Sequence, residues 1–84
     1  MHKSAEVTLT SPTARELLAA NIVKLRGERG YSQEELAHEA GLHRTFVAHV
    51  ERRARNISLD NVERLAKALN VQVHELLMTA KISA

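Results

Sequence analysis

Five short helices in a single all-α domain are what these 84 residues predict, and three observations carry that reading. Apolar residues recur three and four apart in four separate stretches, which is the helical period. Capping residues stand before three of those stretches, at Ser11, Ser32 and Ser58, and Gly30, Gly41 and Asn70 stand after three of them. Tyr31 and Phe46 are the only aromatics, so Leu, Ile, Val and Ala must build the core, which suits packed helices better than a sheet.

The first helix is announced by Ser11-Pro12, a side-chain cap followed by proline at the first helical position. Leu17, Leu18, Ile22 and Leu25 supply its apolar stripe, and it ends near Arg29 with Gly30 as its stop. A second helix starts at Gln33, because Ser32 and Glu35 form a capping box in which each side chain accepts from the other's backbone N–H. Leu36, Ala37 and Ala40 share one face of it, and Gly41 follows where a helix end favours positive φ. A third helix carries Phe46, Val47 and Val50 on one stripe while Arg44, Thr45, Ala48 and His49 point elsewhere. Helices this short cannot stand alone; they need a third surface, and Ala37 is small enough to let two backbones cross closely. After the RRARNI connection, Ser58 caps a fourth helix with Val62, Leu65, Ala66 and Leu69 on its buried face, ended by Asn70. A fifth, short helix is expected over Val73 to Met78.

Length allows one domain, since a chain of this size buries only about 60–65% of its unfolded surface. The domain is read as residues 12–79, with a helix-turn-helix at 33–52, a flexible N-terminal arm at 1–11 and a tail at 80–84. No cysteine is present, so disulfides and thiolate metal sites are excluded, and a reducing compartment is compatible. The opening MHKSAEVTLTS lacks the apolar run of a signal peptide and no stretch reaches the length of a membrane span. A cytoplasmic, nucleoid-associated protein is expected.

Net charge is only +2, but it is unevenly placed. From Leu42 to Asn56, Arg44, Arg52, Arg53 and Arg55 face only Glu51, a local +3 that leaves the rest of the chain at −1. A short helix carrying basic charge after a tight helix-turn is how a small protein enters the DNA major groove.

From about Leu18 to Leu77 the chain resembles the Cro and lambda-repressor-like, or XRE-like, family of bacterial and phage DNA-binding domains. The resemblance rests on Leu25-Arg26 before a Gly turn, on YSQEELAHEAGLHRTFVAHVER, and on RNISLDNVERLAKALNV. GLHRTFVAHVER with RNISL is most similar to the small controller proteins of restriction-modification systems, which are single-domain homodimers acting on their own promoters. The family has five helices. By resemblance, Arg44, Thr45 and His49 match base-contacting positions, while Gln33, His43 and Arg52 match phosphate-contacting ones, and Arg53 and Arg55 are close enough to reach phosphates. Arg26 and Glu51 match a partly buried pair tying the first helix to the end of the third. The sequence departs from the family at Arg53, where glycine is usual: either the chain adopts positive φ there at a cost, or the helix continues.

Plainer roles compete with these. Arg44 can be a solvated surface charge, His49 is open between base contact and surface, and Arg52 and Arg53 can simply aid solubility. Phe46 fits the core better than a base-stacking platform, having no second aromatic beside it. The five histidines include no i, i+4 pair and no HExxH pattern, so no metal site is expected. Val71, Val73, Leu76, Leu77, Met78 and Ile82 are more apolar residues than one short helix needs, and they form the candidate dimer interface, with ordinary core as the alternative for Leu76, Leu77 and Met78. No nucleophile elbow or Gly-rich phosphate loop supports an enzyme. Double-stranded DNA and a second copy of the chain are the expected partners, RNA polymerase is a further candidate, and no cofactor, small-molecule ligand or membrane is expected. Two functions from different classes stand: a transcription regulator occupying a palindromic operator, and an antitoxin-type protein-interaction module in which DNA binding is secondary.

Overall fold

A computed structural model describes residues 12–54 and 56–79. The expectations placed on the 1–11 arm, Arg55, Ile82 and the 80–84 tail lie outside the described residues. Five helices and no strand occur among the described residues: α1 (Ala14–Glu28), α2 (Gln33–Ala40), α3 (Arg44–Glu51), α4 (Leu59–Leu69) and α5 (Val73–Leu76).

Each helix begins on a local side-chain signal. At α1 the cap is Thr13, in a full capping box with Glu16, so Pro12 precedes the cap instead of opening the helix. The Thr-x-x-Glu spacing outcompetes the Ser-Pro signal because it satisfies two end groups reciprocally. Ser32 and Glu35 form the box of α2, and the Ser58 hydroxyl accepts the Asn61 N–H at 3.1 Å. The fifth helix is shorter than expected, closing at Leu76, with Leu77 as its C-cap.

Four helices end in one motif. After α1, α2, α3 and α4 the chain turns through a residue at positive φ, namely Gly30, Gly41, Arg53 and Asn70. At each turn the next residue's N–H returns five positions: Tyr31 to Arg26, Leu42 to Ala37, Ala54 to His49 and Val71 to Ala66, at 2.8–3.0 Å. This Schellman geometry satisfies the orphan carbonyls of the last turn. In three of the four the returning residue (Tyr31, Leu42, Val71) also packs on the core.

The core joins all five helices through Leu18, Ile22, Leu36, Ala37, Val47, Val50, Val62, Leu65, Leu69 and Leu76. α2 packs against α3 and α4, α1 against α3 and α5, and α4 against α5. Every residue of the four expected apolar stripes is buried or partly buried. One polar side chain joins them. Asn21, on the same face of α1 as Leu18 and Ile22, donates from Nδ2 to the carbonyls of Leu76 and Met78, both at 2.9 Å. It thereby satisfies the end of α5 and anchors it to α1.

No helix among the described residues is long and apolar enough to cross a membrane.

Candidate nucleic-acid interface

The α2-turn-α3 unit presents two helix N-termini to one shallow cleft, lined by Ser32, Gln33, Glu34, Arg44, Thr45 and Ala48 and floored by Arg26. Val47 and Val50 hold α3 on the core, and Arg44 and Thr45 consequently point outward. His49, one turn on, is only partly exposed. The exposed Arg44 guanidinium lies 3.5 Å from the carboxylate of Glu34 on α2, a water-screened pair that binds it weakly. Glu34 is a neighbour that sequence reasoning missed, and spacing offers no signal for it.

Behind the cleft is a charged network. The Glu51 side chain is 7% exposed and accepts from Arg26 Nε at 2.7 Å and from the second guanidinium nitrogen at 3.1 Å, a bidentate pair, while Arg26 also donates to the Tyr31 carbonyl at 3.0 Å. Gln33 completes it, donating from Nε2 to Glu51 Oε1 at 2.7 Å. That bond orients the amide, leaving its second N–H for a partner at the start of α2, where helix-end amides favour an anion. Arg26, Gln33 and Glu51 therefore meet, although they come from three helices.

His43 occupies the N-cap of α3. Its Nδ1 accepts the Thr45 N–H at 3.2 Å and lies 2.8 Å from the Thr45 hydroxyl. This leaves Nε2 as the outward nitrogen. Sequence reasoning missed the cap because the ring nitrogen stands where Ser, Thr, Asp or Asn is expected.

At the exit of α3, Arg52 is the exposed C-cap, and Arg53 adopts φ 59, so the helix stops there without glycine. Arg53 turns back to Glu16 of α1 at 3.6 Å, and Arg15 of α1 hydrogen-bonds Asn56. The basic exit is thus tied to the start of α1.

The candidate dimer residues divide. Leu76 is fully buried within its own protomer and leaves the candidate interface: its side chain fills the gap between α1 and α4. Val71 and Val73 are partly buried against the same core, whereas Leu77 and Met78 are exposed.

Exposed cationic and hydroxyl side chains at the start of one short helix, braced by a second helix across a tight turn, define a helix-turn-helix DNA-binding domain. Comparison with known proteins agrees. The family described as "Helix-turn-helix" matches residues 22–76. A hypothetical transcription factor of Neisseria meningitidis is 48% identical over 64 residues, covering 76% of this chain. The chain spans only 60% of that protein's length. The control protein C.SmaI of Serratia marcescens is 48% identical over 63 residues, 75% of each chain. Among solved structures, the restriction-modification controller protein C.AhdI of Aeromonas hydrophila superposes with a TM-score of 0.71 at 42% identity, covering 74% of this chain and 94% of that one. The chain belongs to the XRE-like helix-turn-helix family of DNA-binding transcription regulators, and within it is similar to restriction-modification control proteins.

Proposed function

We propose that the protein is a sequence-specific regulator that binds a palindromic operator as a homodimer, inserting α3 of each protomer into the major groove. The observation that carries this is the exposed start of α3, with Arg44 and Thr45 outward and Gln33 held beside them by Glu51. Arg44 is suited to guanine O6 and N7, and Thr45 and His49 to neighbouring base edges. Gln33, His43, Arg52, Arg53 and Arg55 are assigned to phosphates. One domain reads about half an operator, and a two-fold pair squares its discrimination. Similarity to control proteins favours autoregulation within a restriction-modification system, with RNA polymerase as the partner at the promoter, in the cytoplasm at the nucleoid.

The test is selection of bound duplexes from a random pool at physiological salt, with the complex sized by light scattering. Enrichment of a palindrome bound by two protomers is expected, and its presence upstream of the gene itself marks autoregulation. Weak, salt-sensitive binding without enrichment moves the function to a protein partner. Arg44→Ala is expected to cost about 1–3 kcal/mol and relax preference at one base pair, whereas Arg52→Ala weakens all sequences and flattens the salt dependence by about one ion. Identical behaviour of the two variants on selected and random duplexes would remove α3 as the reading element.

A further inference from the structure

The two contacts between His43 and Thr45 fix more than the helix end. A backbone N–H can only donate, so the Thr45 N–H pointing at Nδ1 requires that nitrogen to be unprotonated, with the ring proton on Nε2. The Thr45 hydroxyl oxygen lies 2.8 Å from the same nitrogen. Two lone pairs at that separation repel, so the hydroxyl must donate its single proton to Nδ1. Both donors then share one acceptor. Thr45 Oγ1 is left with only lone pairs to offer outward, beside its methyl group.

We propose that His43 is a specificity-determining residue: it fixes Thr45 as a hydrogen-bond acceptor, so that Thr45 selects a base carrying an exocyclic amino group in the major groove, adenine N6 or cytosine N4. The inference rests on the DNA-reading role of α3 and names the polarity of one contact within it. Guanine O6 and N7 and thymine O4 offer only acceptors, and meet an acceptor unfavourably.

The charged groups around His43 do not supply another acceptor for its ring. Arg44, next on α3, is turned toward Glu34 on α2, and Arg64 of α4 reaches the Gly41 turn that precedes the cap. Among the described residues, Thr45 is the only hydrogen-bond partner of the His43 ring.

The experiment is duplex selection with the native chain, His43→Asn, His43→Ala and Thr45→Val, each checked for native helicity. Asparagine keeps an acceptor at the cap and alanine removes it. For the native chain, one position of the half-site is expected to favour the amino-bearing base by roughly fivefold, about the worth of one hydrogen bond. His43→Asn is expected to keep the preference with lower affinity for all sequences, and His43→Ala and Thr45→Val are expected to lose it. A native preference for guanine or thymine at that position overturns the proposal, and so does a preference that persists unchanged in His43→Ala, which assigns it to another residue. Selection that enriches no sequence with any of the proteins overturns the DNA-reading role itself, an outcome distinct from enrichment with unchanged polarity.

Discussion

Arg53 shows how a single residue can serve two demands in conflict. Its φ of 59 belongs to the left-handed region, which costs a residue with a Cβ about 1–2 kcal/mol. The turn nevertheless closes with the same hydrogen bonds as those at Gly30 and Gly41. The ion pair to Glu16 offsets little, since both side chains are about half exposed. Arg53→Gly is therefore expected to raise stability, by about 0.5–1 kcal/mol after glycine's greater unfolded-state entropy is subtracted. If Arg53 binds phosphate, the same variant binds DNA less tightly with a shallower salt dependence. Thermal unfolding and a salt titration of binding read the two effects separately; a variant that loses stability would show that the ion pair outweighs the backbone strain.

Between elements, the connections that matter most are polar. The Arg26–Glu51 pair ties α1 to the end of α3 and, through Gln33, to the start of α2. Removing one partner of a mostly buried pair strands the other, so Glu51→Ala is expected to cost about 3–5 kcal/mol. Arg26→Met with Glu51→Leu is expected to cost much less than the sum of those two changes made singly, and denaturant unfolding of the native chain, the two single variants and the double variant measures the coupling. Additive losses would show that the network contributes packing alone. Legibility in the sequence follows the range of the interaction. The capping box of Ser32 and Glu35, the Ser58 cap and the apolar stripes are local, and each is written in residues three or four apart. The Arg26–Glu51 pair is visible only through family resemblance, since 25 residues separate its members. Asn21 is foreshadowed only by standing among Leu17, Leu18 and Ile22. Its partners are backbone carbonyls more than 50 residues away, which leave no trace in residue type.

For the whole molecule, Leu77 and Met78 are an apolar pair left outside the core at the end of α5. Both stand exposed beside Leu76, which is fully buried. The hypothesis that this end pairs two protomers predicts that Met78→Asp shifts the chain to monomer at micromolar concentration while leaving the unfolding of the monomer nearly unchanged, because that residue is 47% exposed and lies outside the core. Sedimentation of the native chain showing only monomer would reject this pairing. Operator binding by the variant is expected to require higher protein concentration and to lose its steepness, because dimer assembly and occupancy are linked by mass action.

The closure of α3 at both ends has a broader consequence. His43 begins it and the Arg53 turn finishes it through contacts made within a few residues, while Phe46, Val47, Val50 and Glu51 commit it to the scaffold. Arg44, Thr45 and the outer part of His49 lie on the remaining face, outside the core. The segment therefore behaves as a cassette: under the proposed reading role of α3, Arg44, Thr45 and His49 can be exchanged for other side chains, and the preferred duplex with them, on an unchanged fold.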